Sequence, residues 1–196
     1  MGILLSCVIA YLIGSLSFSY LIAKKVKKID IRQHGSGNAG ATNTLRVLGK
    51  GPAIAVLALD VLKGIGAVWL GVLLTDTTWA PFLSGIFAII GHNWPVFFNF
   101  RGGKGVATTI GVFATVAFLP SLYAGIIAII LIIITRYVSL GSITFVVLTP
   151  PFLVLVGDYP ITYAYLAAVV AVLSVWRHRA NVSRLFKGTE SKIGKK

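Results

Sequence analysis

Long apolar runs separated by short polar segments constrain this chain more than any other feature. A helix needs about 20 apolar residues to cross a bilayer. The mean hydropathy of +0.90 and the 57% of hydrophobic residues lie outside the range of ordinary soluble domains. We therefore expect a membrane protein and predict seven spans, at about residues 3–23, 51–74, 80–98, 106–120, 121–135, 143–157 and 160–176.

The lengths of these runs predict an all-α integral membrane protein with seven transmembrane helices. Several runs are shorter than a perpendicular span requires, so some helices are expected to be short or broken. Pro120 marks either a tight turn between two spans or a kink within one longer helix. The spans would use the whole chain, which predicts a single transmembrane domain over residues 1–196.

The Lys and Arg residues predict the orientation of the spans. The first span has no charge before Lys24 and no basic segment at its start, so we expect it to be uncleaved, with the N-terminus outside. Seven spans then place four regions inside: 24–50, 99–105, 136–142 and 177–196. These regions hold all of the 18 Lys and Arg residues except Lys63. Because cytoplasmic loops collect such residues, the C-terminus is predicted to be cytoplasmic.

The formal charge of +13 and the scarcity of carboxylates exclude several classes of protein. The cations punctuate apolar runs, which fits membrane lipids and anionic substrates, so no nucleic-acid partner is expected. Cys7 is the only cysteine, which leaves no internal disulfide. Five Asp and Glu residues are too few for a carboxylate-rich metal site, and we predict neither metal nor cofactor.

Lys63 is the exception to the one-sided charge, since it lies inside the second span. Asp60 lies three residues earlier, on the same helical face. Charges within spans are candidates for function. A mutually neutralising pair is the favoured interpretation here, so both residues are left out of the predicted site.

The first inner loop, residues 34–46, is suited to wrapping a phosphate. Its glycines free backbone N–H groups, and hydroxyl, amide and guanidinium donors lie beside them. The alternative is a flexible linker, but a Gly/Ser linker needs no Asn, Thr or Arg. The candidate site residues here are Ser36, Gly37, Asn38, Thr42, Asn43 and Arg46.

The second inner loop, His92–Pro95 followed by Phe100–Thr108, leads directly into the fourth span. Glycines at the N-terminus of a helix expose amides where the helix dipole already favours an anion. The spacing of a P-loop, G-x-x-x-x-G-K-[ST], is not met, which excludes a nucleotide hydrolase of that kind. The candidate substrate-binding residues are His92, Arg101, Gly102, Gly103, Lys104 and Gly105.

The last two inner regions, 136–142 and 177–196, give less specific signals of a binding site. Ser139 and Ser142 are candidates in the third, although serines near span ends often serve as caps. If residues 177–184 continue the last helix, His178 and Asn181 share a face, and both are candidates for catalysis. No His is followed five positions later by Asp, so the signature of the common glycerolipid acyltransferases is missing.

The segments from Ser36 to Arg46 and from Gly91 to Thr108 resemble the first two motifs of a bacterial family, the acyl-phosphate:glycerol-3-phosphate acyltransferases (PlsY). The segments from Ser139 to Ile143 and around His178 and Asn181 resemble its later motifs. Two departures are mild, because Ala39 stands where proline is common and Gly141 where serine is.

The resemblance implies transfer of a fatty acyl group from acyl phosphate to the 1-hydroxyl of glycerol 3-phosphate, the first step of phospholipid synthesis. Lysophosphatidic acid and inorganic phosphate would be the products. Under this interpretation Ser36, His178 and Asn181 are catalytic, and His178 or a substrate phosphate oxygen takes the proton. Which loop holds which phosphate stays open.

The resemblance also implies a bacterial inner-membrane location with the site facing the cytoplasm, and a soluble phosphate acyltransferase as supplier of the donor. We expect a monomer. A transporter or channel for small phosphorylated anions is the alternative, although the polar groups gather at one face instead of crossing the bilayer. A scaffold for anionic lipids would explain the charge but not the placement of His, Asn, Ser and Gly.

Overall fold

The computed structural model describes residues 1–194, and within that range it contains ten α-helices, two short 3-10 helices and no β-strand. Lys195 and Lys196, which the sequence assigns to the inner face, lie outside the described residues. The α-helices are α1 Gly2–Gly14, α2 Phe18–Lys27, α3 Ala41–Leu48, α4 Lys50–Leu74, α5 Ala80–Asn93, α6 Val106–Val116, α7 Phe118–Thr135, α8 Val138–Leu155, α9 Ile161–Arg177 and α10 Arg179–Phe186. The 3-10 helices are Ile31–Gln33 and Val96–Phe98.

The chain forms two compact units, of which the first is Met1–Val116 and the second begins at Ala117. The first therefore contains α1 to α6 and the second α7 to α10. The single domain over residues 1–196 stays a prediction.

Small residues let the helices of the first unit pack closely. A side chain at Gly14 would collide with the backbone of Ala88, and one at Gly111 with the carbonyl of Val61. Ala10, which is fully buried, packs in the same cluster as Ala88. Helices in lipid associate by close van der Waals contact because the tails are as apolar as the side chains, so these small residues hold α1, α4, α5 and α6 together.

The first predicted span, 3–23, is broken into α1 and α2. The two helices together form an apolar stretch, Gly2–Lys27. In the break, Ser15 donates its hydroxyl to the carbonyl of Tyr11 at 2.8 Å, as a residue that has left the helix pattern often does. The break leaves the carbonyl of Leu16 without a partner in the helix, and Nζ of Lys63 donates a hydrogen bond to it at 2.9 Å.

In the second unit, α7 packs against α8, and α8 packs against α9. The chain breaks at Ala117 (φ −152°, ψ 62°), so α6 and α7 are separate helices. Pro120 lies in the first turn of α7, where a missing N–H costs nothing. The sequence placed the boundary at Pro120 because proline was the only visible signal there; the observed break comes three residues earlier.

Five helical stretches within the described residues are long and apolar enough to cross a membrane: Gly2–Lys27, Lys50–Leu74, Ala80–Phe98, Phe118–Thr135 and Val138–Leu155. A sixth is added if α9 and α10, which meet at a bend of 62°, count as one. Helix α6 has 11 residues, which is about 16 Å and roughly half the hydrocarbon core. The all-α membrane class is confirmed, whereas the seven spans and their orientation stay predictions.

Candidate functional site

The first inner loop is organised by Asn43 from the start of α3. Its Oδ1 accepts from the backbone N–H of Ser36 at 2.8 Å, and its Nδ2 donates to the carbonyls of His34 at 2.9 Å and Ile31 at 3.2 Å. Asn43 is 1% exposed. The amide therefore fixes the loop from inside and leaves Ser36 exposed on it.

Glycines give this loop its tight turns. Gly35 (φ 62°) and Gly37 (φ 70°) adopt the left-handed conformation that other residues resist. The remaining candidates differ in exposure: Ser36, Gly37 and Arg46 are exposed, and Asn38 and Thr42 are half-buried. The loop thus exposes a hydroxyl and a guanidinium, whereas the backbone amides of Ser36, Gly37 and Gly40 are bonded within the loop.

Arg32 ties the first loop to the second. Its Nη1 donates to the carbonyl of Phe98 at 2.8 Å, and its Nη2 pairs with Asp30 at 2.8 Å. The guanidinium lies 4.9 Å from the centre of the Tyr20 ring. The hydrogen bond from Arg32 holds the pKa of Asp30 below its usual value. No sequence pattern singled out this residue.

The second inner loop folds back on the end of α5. The N–H of Gly103 donates to the carbonyl of His92 at 3.1 Å. A side chain at Gly102 would collide with that carbonyl, and one at Gly103 with Nε2 of the His92 ring. Gly105 is left-handed (φ 78°) and precedes α6 directly. Only glycine fits these three positions, and the segment ends at the N-terminus of α6, where the helix dipole favours an anion; phosphate binding there stays a prediction.

The two cations of this loop differ in exposure. Arg101 is exposed and Lys104 is half-buried. His92 is buried, and Nζ of Lys63 lies 2.9 Å from its Nδ1. Lys63 in turn pairs with Asp60 at 2.7 Å. The pair that the sequence analysis left out of the site is therefore in direct contact with one of its members.

In the second unit, Glu190 accepts hydrogen bonds from three side chains. Its Oε1 accepts from the hydroxyl of Ser139 at 2.7 Å and from Nδ2 of Asn181 at 2.6 Å, and its Oε2 accepts from Nε of Arg184 at 2.7 Å. Burial alone would raise the pKa of Glu190, but these hydrogen bonds and the Arg184 charge outweigh it and lower the pKa below its usual value. An ionised carboxylate thus holds two of the predicted site residues.

His178 lies at the bend between α9 and α10, so the last helix does not continue straight through it. Its Nδ1 is 2.8 Å from the carbonyl of Ser174, and a carbonyl only accepts, so Nδ1 carries a proton. In the neutral ring Nε2 is then an acceptor, as a general base requires. The hydroxyl of Ser142 donates to the carbonyl of Val138 at 2.8 Å, so it supports α8; its contact with substrate stays a prediction.

Sequence reasoning missed three contributors, Glu190, Lys63 and Asp60, as well as the link made by Arg32. For Asp60 and Lys63 the signal was visible, because their spacing placed them on one face. Glu190 was visible only as the one carboxylate of the C-terminal inner region.

The helical fold defines an integral membrane protein whose glycine-rich loops carry exposed or half-buried Arg and Lys side chains. The profile of the family described as glycerol-3-phosphate acyltransferase matches residues 4–188. The chain is 62% identical to the glycerol-3-phosphate acyltransferase of Shouchella clausii, over 95% of this chain and 93% of that one. It is 60% identical to the protein of the same name from Halalkalibacterium halodurans, with the same two coverages.

Two solved structures have the same fold. One is the crystal structure of PlsY (YgiH), an integral membrane glycerol 3-phosphate acyltransferase, in its glycerol 3-phosphate form; the TM-score is 0.92 at 40% identity, over 99% of this chain and 96% of that one. The other is its lysophosphatidic acid form, with a TM-score of 0.89 at 39% identity and the same two coverages. The chain belongs to the glycerol-3-phosphate acyltransferase family and is an acyltransferase.

Proposed function

We propose that this chain transfers a fatty acyl group from acyl phosphate to the 1-hydroxyl of glycerol 3-phosphate. The solved relatives support the acceptor and the product, since their forms are named for glycerol 3-phosphate and lysophosphatidic acid. The observation in this chain that carries the proposal is the glycine loop, whose close packing on His92 admits no side chain and whose amides precede α6. Such a loop suits a phosphate, and both substrates carry one.

In the first loop, Ser36, Thr42 and Arg46 would hold phosphate and substrate hydroxyls, with Gly37 and Asn38 shaping the turn. Asn43 contributes by fixing the backbone of Ser36. A guanidinium binds a phosphate through two parallel hydrogen bonds, which gives orientation as well as affinity. Ser36 would bind the reacting groups directly, since its side chain is exposed on a rigid backbone.

In the second loop, the amides of Gly102, Lys104 and Gly105 and the side chains of Lys104 and Arg101 would surround a phosphate, while the N–H of Gly103 holds the loop on the His92 carbonyl. The fixed N–H groups and the helix dipole favour the negative charge without any rearrangement. A phosphate held there keeps the reacting atoms in place, which alone can supply several kcal/mol of the barrier, about 7 or more in favourable cases.

His178 and Asn181 would orient the acceptor hydroxyl. The hydroxyl oxygen attacks the acyl carbon, the bond between that carbon and the phosphate oxygen breaks, and phosphate leaves as a stable anion. The hydroxyl proton passes to Nε2 of His178 or to a phosphate oxygen. Because the leaving group is already good, positioning and charge stabilisation suffice, and no acyl-enzyme is required.

The direct test mixes purified protein with acyl phosphate and glycerol 3-phosphate, without metal, CoA or acyl carrier protein. We expect lysophosphatidic acid, detected by mass spectrometry, and one phosphate released for each molecule formed. Product that forms only after acyl-CoA is added would overturn the donor assignment. Boiled protein and protein without glycerol 3-phosphate are the controls.

The proposed topology has seven spans, the N-terminus outside and the site facing the cytoplasm of a bacterial inner membrane. The distribution of Lys and Arg supports this orientation. The family resemblance further suggests a soluble phosphate acyltransferase as supplier of the donor, and we expect the protein to be a monomer. Single cysteines at Lys50 and Asp76 in a Cys7→Ala background test the orientation by labelling with an impermeant thiol reagent. We expect whole cells to label only the cysteine at position 76; labelling of position 50 instead would reverse the topology.

A further inference from the structure

Lys63 is a buried cation inside α4, 5% exposed, with three partners close to its Nζ. Oδ1 of Asp60 lies at 2.7 Å, the carbonyl of Leu16 at 2.9 Å and Nδ1 of His92 at 2.9 Å. An ammonium has three N–H groups and no acceptor; the Leu16 carbonyl and Nδ1 of His92 accept two of them, and Asp60 supplies the opposite charge as an ion-pair partner. A pair that served only to neutralise charge would need no third partner.

The contact with Lys63 fixes the proton on His92. Nδ1 faces a group that can only donate, so Nδ1 accepts and the ring proton is on Nε2. Oδ1 of Asp60 is also near Nδ1, but at 3.5 Å it is farther away than Lys63. His92 is therefore a neutral ring whose Nε2–H points away from the ion pair.

Nε2 of His92 meets the glycine loop. A side chain at Gly103 would overlap it, and the backbone N–H of Gly103 binds the His92 carbonyl at 3.1 Å. The His92 ring thus packs directly against Gly103, so a rotation of the ring toward the loop would displace Gly103.

We propose that Asp60 and Lys63 are positioning residues: they hold the ring and the tautomer of His92, and through it the shape of the glycine loop that binds a substrate phosphate. The part concerning phosphate rests on the proposed function of that loop. The chain of contacts runs from Asp60 to Lys63, to His92 and to Gly103, all within the first unit.

The first test replaces Lys63 by Met, which keeps the length of the side chain and removes the three donors. We expect the KM for one of the two phosphate-bearing substrates to rise about tenfold or more, as for a lost hydrogen bond to a charged group, with a smaller change in kcat. Lys50→Met is the matched control, since Lys50 is exposed at the start of the same helix. An unchanged KM in Lys63→Met would overturn the proposal.

The double variant Asp60→Asn with Lys63→Met separates positioning from charge neutralisation. It removes both charges, so the protein should recover the thermal stability that the single variants lose. If the pair only neutralises charge, the KM recovers as well, which contradicts the proposal. We expect the stability to return while the KM stays high.

A double-mutant cycle asks whether Lys63 acts through His92. In a His92→Ala background, Lys63→Met should change the KM by less than twofold, because the ring it would position is gone. A tenfold effect in both backgrounds would mean that Lys63 acts by another route.

Spectra of ¹⁵N-labelled histidine test the tautomer without any acyl donor. The His92 signals are identified by their loss in His92→Ala, and in Lys63→Met they should move from the Nε2–H tautomer to a mixture of states. Calorimetric titration with glycerol 3-phosphate accompanies them. If wild-type protein makes no product from acyl phosphate, the proposed donor fails, while unchanged His92 signals in Lys63→Met would overturn the positioning role independently.

Discussion

His92 and His178 are both buried histidines at the end of a helix, yet the structure gives them opposite tautomers. Nδ1 of His92 accepts from Lys63, which leaves the proton on Nε2. Nδ1 of His178 donates to the carbonyl of Ser174, which leaves Nε2 as an acceptor. One ring is thereby suited to donate a hydrogen bond toward the glycine loop, and the other is suited to take a proton. The group on Nδ1, not the residue type, decides the role.

The two units also use buried charge differently. In the first, a cation inside a helix orients His92 and is balanced by Asp60. In the second, the anion Glu190 lies after the last helix and orients Asn181 and Ser139. In both cases a charged residue outside the predicted site holds a neutral polar residue within it.

The largest effect is expected for His178→Ala. Removal of a general base costs about a hundredfold to ten-thousandfold in turnover, so kcat with both substrates saturating should fall at least a hundredfold. Lys187→Ala, an exposed change after α10, is the control. Near-normal kcat in His178→Ala would mean that a substrate phosphate takes the proton.

Glu190→Gln should have the next largest effect. The substitution keeps the shape but turns one acceptor into a donor, which leaves Arg184 or Asn181 facing another N–H group. We expect a loss of about 2 kcal/mol in unfolding free energy and a drop of about tenfold in kcat as Asn181 moves. Thr189→Ala, exposed beside it, serves as the control in thermal unfolding and turnover assays.

The pH dependence of stability tests the charge on Glu190. Its folded pKa is lowered, so the stability that it adds is present above the unfolded value of about 4.3 and is lost as the pH falls through the folded pKa. The difference in Tm between wild type and Glu190→Gln should therefore be constant near neutral pH and narrow in acid. A difference that widens in acid would contradict an ionised Glu190.

Gly103→Ala should displace His92 and leave His178 unchanged. The added methyl group collides with the His92 ring and lies 2.5 Å from the carbonyl of Ala39, so the loop must shift. We expect the KM for a phosphate substrate to rise about tenfold, equivalent to about 1.4 kcal/mol. Gly66→Ala is the control, because nothing lies within 4 Å of the added carbon there.

Arg32→Gln is expected to have the smallest effect. It removes the bond to the carbonyl of Phe98 and the pairing with Asp30, in a half-buried setting. The cost should be about 1 kcal/mol of stability, with a change of a few-fold in KM. A change in kcat without a change in KM would place Arg32 nearer the chemistry than its contacts do.

The helical membrane class follows from the sequence because the apolar runs are long and the bilayer permits few structures. The positions of the breaks do not. Nothing at Ala117 marks the end of α6, and the predicted boundary at residue 120 comes three residues after the observed break. The bend follows His178, the C-cap of α9, whose backbone N–H and Nδ1 both bond to the carbonyl of Ser174, and periodicity does not report these contacts.

The candidate site was predictable where its residues cluster in the sequence, as they do in the two glycine-rich loops. Its supports were not, because their contacts depend on where the chain turns and how the helices pack, which the pattern of residues does not report. His92 lies 29 residues from Lys63, and Glu190 reaches Asn181 only after the chain reverses at Gly188, which is left-handed (φ 66°). Asn43 was predicted to bind substrate, and the structure adds that its amide holds Ser36.

Nitrogen spectra of wild-type protein labelled with ¹⁵N-histidine at neutral pH would show directly whether the two histidines carry their protons on opposite ring nitrogens. We expect a protonated Nε2 with an unprotonated Nδ1 for His92, and a protonated Nδ1 with an unprotonated Nε2 for His178. The same tautomer for both rings, or a doubly protonated His92, would contradict this assignment.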